Sequence, residues 1–172
     1  IILPAFIIGL VKLCIISPAY SQITSDNTTN TVVNQSGGNF DILNGIQKGN
    51  NLFHSFQEFS IPRGGSAIFN NSNDVLNIIN RVTGGNISNI DGLIKANGNA
   101  NIFLINPNGI LFGENAKLDI GGSFLGSTAE SILFEDGFNY SAIDSQATPL
   151  LTITVPVGLQ MGTNPGAIEV EG

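Results

Sequence analysis

From Gln22 onward the apolar residues come in short runs cut by Asn and Gly. Val75 to Val82, Ile102 to Ile105, Ile110 to Phe112 and Leu118 to Ile120 are such runs. Around them stand Gly37-Gly38-Asn39, Asn44-Gly45, Gly64-Gly65, Gly84-Gly85-Asn86, Asn97-Gly98, Asn108-Gly109 and Gly121-Gly122, residues that favour tight turns. No segment repeats its apolar positions with the 3.6-residue period of a helix, so the pattern predicts an all-β chain. A sandwich of hairpins fits it, but three features favour stacked coils. Gly92 to Gly98 is echoed by Asn115 to Gly122 about one rung later. Several runs lack strict alternation, as strands with parallel neighbours and a buried face do. Asn at turn positions can build side-chain ladders between successive coils. The expected fold is a right-handed parallel β-helix from about Val75 to the C-terminus, with Phe103, Ile105, Leu111 and Leu118 turned inward or packed at coil interfaces. A solenoid end exposes unpaired backbone and needs a cap, for which Ile23 to Phe40 is the candidate. Ser131 to Ser145 reads as an excursion, Leu150 to Leu159 returns to strand character, and Thr163 to Ile168 repeats a turn followed by a strand.

The first 21 residues differ. Ile1 to Ser17 is almost continuously apolar, interrupted by Pro4, Gly9 and Lys12, and Ala19-Tyr20-Ser21 then gives a small-residue exit before the polar Gln22 to Asp26. This predicts an export signal over residues 1–21, cleaved between Ser21 and Gln22. A transmembrane anchor is the competing reading, and Lys12 in the middle of the stretch weighs against it. With no initiator Met and no basic leading region, the signal is expected to be incomplete at its N-terminus. Cys14, the only cysteine, falls inside this segment, so the mature part would carry no thiol, disulfide or cysteine metal site.

Composition narrows the function. The net charge of −7 lacks the basic footprint of a nucleic-acid binder. Only 11% of residues are charged while 42% are hydrophobic, so uncharged Asn, Gly, Ser and Thr must supply the polar surface. That mixture suits strands and turns and is too apolar for disorder.

Candidate chemistry is sparse. His54, the single histidine, has Glu58 nearby in sequence but no catalytic motif around it. Glu114, Asp119, Glu130, Glu135 and Asp136 are weighed as calcium ligands, yet no calcium-loop spacing links them. Phe53, Phe56, Phe59 and Phe69 suit a core or cap better than a carbohydrate-stacking platform. No catalytic residue, cofactor site or metal site is assigned, and the chain reads as a non-enzyme. The alternative, a secreted β-helical enzyme or binding module acting on polysaccharide, would need a groove of clustered carboxylates or basic residues.

The most specific stretch is Asn106-Pro107-Asn108-Gly109-Ile110. Asn106 suits the first position of a type I turn, where its side chain accepts from the backbone two residues on. Pro107 fixes φ at the second position and Gly109 suits the fourth. This turn, with Phe53 to Phe59, Phe69-Asn70 and Asn80-Arg81-Val82-Thr83-Gly84, resembles the secretion domain of filamentous haemagglutinins, the exported partner in two-partner secretion. The resemblance spans Gln22 to about Gly172, and Pro149 to Ile168 is similar to the continuation in cyanobacterial-type members. Many relatives carry an earlier Asn-Pro-Asn-type motif; Asn70-Asn71-Ser72-Asn73-Asp74 stands there without proline.

The resemblance implies a capped right-handed β-helix with small antiparallel additions, extending past Gly172. It implies a secretion-targeting and folding-nucleating domain of a large surface adhesin. The protein would pass through the periplasm and be recognised by the periplasmic modules of an outer-membrane transporter of the Omp85/TpsB type. Asn106, Pro107, Asn108, Gly109 and Ile110 would form the secretion motif. The adhesion target would be set by sequence downstream.

Overall fold

A computed structural model describes residues 22–144 and 151–172, so the segment Ile1 to Ser21 and its cleavage position lie outside the described residues. Four short strands come first: β1 (Ile23–Ser25), β2 (Thr31–Ser36), β3 (Asn39–Asn44) and β4 (Ile46–Lys48). The first coil holds β5 (Asn51–Phe59) and β6 (Ser66–Phe69). The second holds β7 (Asn77–Val82), β8 (Ser88–Ile90) and β9 (Leu93–Ala96). The third holds β10 (Asn101–Ile105), β11 (Ile110–Phe112) and β12 (Lys117–Asp119), and β13 (Phe124–Ser127) opens a fourth. The described residues contain no helix.

The coils stack into a parallel β-solenoid of about three turns. One sheet runs β5-β7-β10-β13, a second β3-β6-β9-β12, and β8 and β11 pair in a third. A side-chain ladder marks the rungs. Asn77 Nδ2 donates to Asn51 Oδ1 at 3.0 Å, Asn101 Nδ2 donates to Asn77 Oδ1 at 3.1 Å, and the Ser123 amide donates to Asn101 Oδ1 at 2.9 Å. The successive offsets are 26, 24 and 22 residues, so the coils shorten toward the C-terminus. The ladder thus sits at strand starts and joins the Asn side-chain amides from coil to coil.

The solenoid begins at Asn51, earlier than the expected Val75. Its first strand hides the pattern because both faces are buried. Leu52, His54 and Phe56 point into the coil, while Phe53 and Ser55 lie under a second layer. Along the interior, Leu52, Ile78 and Ile102 stack in register and continue to Phe124. Phe40, Ala67 and Ile94 form the facing column.

Of the four residues expected inward or at coil interfaces, three do not point into the coil. Phe103 and Ile105 face outward from the coil, beneath the second layer. Leu111 is outward and partly buried, in register with exposed Asn89 and Glu169; Ile110 and Phe112 point in instead. A three-residue apolar strand carries no phase, so its sequence cannot tell in from out. Leu118 continues the column of Ile94 but is 51% exposed, because β12 is the last strand of its sheet.

The cap extends to Lys48, beyond the expected Phe40. β1 and β4 lie antiparallel on β5, β2 and β3 make a hairpin, and β3 starts the parallel stack on β6. The open sides of β5 and β6 are thereby covered, and the short β1 and β4 and the polar β2 stand at the edge in their place. The excursion forms β14 (Ser131–Phe134) and β15 (Asn139–Ser141), and the later stretch adds β16 (Pro156–Gln160), together an antiparallel sheet in the order β15-β14-β16. It covers the outer face of the β5 sheet with a second core of Phe53, Ile79 and Ile105 against Ile132, Phe134 and Tyr140. Leu151 to Val155 is not strand, but Asn51 Nδ2 holds it by donating to Thr152 O at 3.2 Å and Thr154 O at 2.7 Å. Finally β17 (Ile168–Val170) rejoins the solenoid, parallel to β11.

Candidate functional site

The Asn106 to Ile110 turn forms the corner between β10 and β11. The Gly109 amide donates to Asn106 O at 3.1 Å, closing the turn, and the Asn108 amide donates to Asn106 Oδ1 at 3.0 Å. Gly109 has φ +134°, a conformation L side chains rarely adopt. These are local contacts of the kind the turn residues imply.

The turn is also the middle layer of a stacked corner. Below it, Asn106 Nδ2 donates to Asn86 O and to Ser88 Oγ, both at 3.0 Å, and Asn108 Nδ2 donates to Gly84 O at 2.7 Å. Above it, the Gly166 amide donates to Pro107 O at 2.9 Å and the Ile110 amide donates to Ala167 O at 3.0 Å. The repeated turn-and-strand sequence at Thr163 to Ile168 is therefore the next layer of the same corner. Asn106 is fully buried, whereas Asn108 is exposed and Pro107 is partly exposed. Pro107 and Asn108 border an open groove of about 300 Å³, with Thr83, Gly84, Ala142 and Ile143 on its other sides. What the motif offers to solvent is a small face; most of its polar atoms are spent holding coils together.

A second constellation escaped sequence reasoning. Arg81 is 1% exposed. Its Nε donates to Ser55 Oγ at 2.7 Å, Nη2 to Thr28 Oγ1 at 3.0 Å and Nη1 to Ser141 O at 2.5 Å. Its Cζ lies 4.5 Å from the ring centroid of Tyr140. Asp26 stands one step away, receiving Ser55 Oγ at 2.5 Å, Thr83 Oγ1 at 2.7 Å and Thr28 Oγ1 at 2.7 Å. Burial opposes its charge, but these donors outweigh burial and hold the Asp26 carboxyl below its ordinary pKa. Burial pushes the Tyr140 phenol well up. The one available signal was a lone cation inside the apolar run Val75 to Val82.

His54 belongs to the core. It is 1% exposed, its Nδ1 is 2.9 Å from Thr31 Oγ1, and the rings of Phe56 and Phe69 lie against it. Burial lowers its pKa from 6.5 to about 3. The unfolded chain takes up this proton as pH falls below 6.5, and the folded chain does not until about 3. Stability should therefore fall through that window by about 1.4 kcal/mol per pH unit. Urea unfolding at pH 7 and pH 5 checks it: the expected loss is about 2 kcal/mol, and His54→Asn should abolish the slope. Equal stability of the parent chain at both pH values would contradict the assignment.

Phe53, Phe56, Phe59 and Phe69 are all buried, so they present no stacking platform. Asp119 pairs with Lys95, and Glu114 lies 3.7 Å from Arg63 on the surface. Among the described residues, no group of three or more His, Cys, Asp or Glu is placed to hold a metal ion.

The model of a family described as TPS secretion domain matches residues 21–172. A heme/hemopexin-binding protein of Haemophilus influenzae strain Rd is 47% identical over 45 residues, which are 26% of this chain and 5% of that protein. Another heme/hemopexin-binding protein of Haemophilus influenzae is 34% identical over 67 residues, 39% of this chain and 7% of that protein. The chain thus matches only a small part of the length of these relatives.

Proposed function

The chain belongs to the TPS secretion domain family, and from this premise we propose that it targets a large surface adhesin for export and nucleates its folding. The family match over residues 21–172 carries the reading. The partner is an outer-membrane transporter of the Omp85/TpsB type, engaged through its periplasmic modules. Residues 1–21 act as the export signal, with cleavage between Ser21 and Gln22, and the mature chain reaches the cell surface through the periplasm. The continuation from Pro149 to Ile168 supports placement among cyanobacterial-type members. The domain turns over no substrate and carries no cofactor. The heme/hemopexin-binding relatives support an exported partner protein; their ligand is no guide to this chain's, because the matches cover 5% and 7% of them.

In this reading the motif Asn106 to Ile110 serves secretion through folding. Export without a nucleotide energy source is drawn forward by coils that stack on the far side, and each stacked corner holds the last. A strand-prone segment that is still unfolded binds the transporter by adding to a sheet edge. The test is a pull-down of the transporter's periplasmic modules with residues 22–172, native and freshly denatured. Stronger capture of the denatured form is expected. Negligible capture of both forms, or surface display in a strain lacking such a transporter, would remove the claim.

A further inference from the structure

We propose that Arg81 latches the N-terminal cap to the extra-helical sheet, so that cap, first two coils and sheet fold as one cooperative unit. Its three donor nitrogens each serve a different layer. Nη2 reaches Thr28 of the cap, Nε reaches Ser55 of the first coil, and Nη1 reaches Ser141 of the sheet. The Tyr140 ring covers the cation, and the Tyr140 hydroxyl donates to His54 O of the first coil at 2.9 Å. Among the described residues no carboxylate pairs with the guanidinium. Asp26 compensates it at one remove, through Ser55 and Thr28, which both donate to Asp26.

A buried cation with a missing partner is strongly unfavourable. If the sheet leaves, the cation loses its cover and one acceptor. If the cap leaves, it loses another acceptor and the compensating carboxylate. Neither element is complete without the other.

This departs from simple solenoid behaviour, in which stability is a sum over neighbouring repeats. Here Arg81 is joined to residues 53 positions before it and 60 positions after it. The cap is built from the start of the mature chain, yet the Arg81 that its Thr28 and Asp26 serve gains its full complement only when Tyr140 and Ser141 arrive. The inference concerns the folded chain and stands whether or not the secretion reading holds.

Amide hydrogen exchange on the full chain tests it. Tyr140→Leu removes the ring over the cation. It should speed exchange in β2 and at Thr28 by about tenfold or more, a coupling typical of residues in one buried network. Tyr140→Phe keeps the ring, and should change cap exchange much less. Coupling is reciprocal, so Asp26→Asn should speed exchange in β14 and β15. Cap exchange unchanged in folded Tyr140→Leu, or equal acceleration by Tyr140→Phe, would overturn the latch. Should Tyr140→Leu not fold, the Asp26→Asn arm decides alone, and parent-like exchange in β14 and β15 would overturn it.

Discussion

Alanine at Gly84 will cost about 3 kcal/mol or more of stability, while alanine at the adjacent Gly85 will change it by less than about 0.5 kcal/mol. A Cβ at Gly84 would lie 1.9 Å from Gln57 O and 2.8 Å from Gln57 Nε2; one at Gly85 meets nothing within 4 Å. The backbone cannot step aside at Gly84. The Thr83 amide is tied to Phe56 O at 2.8 Å, and Gly84 O receives Asn108 Nδ2 at 2.7 Å from the coil above. Relief must therefore part the first coil from the second or lift the second from the motif. Urea unfolding of the two variants side by side measures the difference. If both are equally stable, the close stacking of this corner is wrong, and with it the contacts assigned to Asn106 and Asn108.

The parts of this architecture that sequence reveals are those fixed within a few residues. Asn106, Pro107 and Gly109 each select the same turn by local chemistry, so the turn could be read before its surroundings were known. The excursion after Ser131 was legible because its charged and aromatic residues break the rhythm of Asn and Gly turns. What stayed hidden depends on register between coils. Asn106 donates to residues 20 and 18 positions earlier, and nothing local to any of the three announces the match. Leu111 and Ile110 differ by one position in a three-residue strand, too short to fix a phase. The strand Asn51–Phe59 is loaded with large residues on both faces because a cap and a second sheet enclose it, which masks the start of the solenoid. In the sequence Arg81 enters only as a member of the Asn80 to Gly84 resemblance, and its role stayed hidden because its partners come from Thr28, Ser55 and Ser141, three separate stretches of chain.

Replacing Asn106 by Ala should destabilise the domain by roughly 2–4 kcal/mol, while replacing Pro107 by Ala should cost less than about 1 kcal/mol. The Asn106 side chain, itself fully buried, gives two hydrogen bonds to the coil below and takes two from Asn108. Alanine leaves Asn86 O and Ser88 Oγ without these donors and frees the Asn108 amide from the turn, and each buried group so stranded carries a desolvation cost. Pro107 contributes a preset φ and a carbonyl that accepts from Gly166; alanine keeps the carbonyl and loses only the preset angle. Folding and export then separate the two roles open to the motif. If the motif acts through folding, export should follow stability across the pair, falling for Asn106→Ala and nearly normal for Pro107→Ala. Pro107 and Asn108 are the members that face the open groove, so a transporter reading the motif directly should respond to them instead. The measurements are urea unfolding of residues 22–172 and the amount of protein reaching the medium from cells that carry the transporter. Normal folding of Asn106→Ala with blocked export, or lost export in a stable Pro107→Ala chain, would move the motif's role from holding coils together to contact with the transporter.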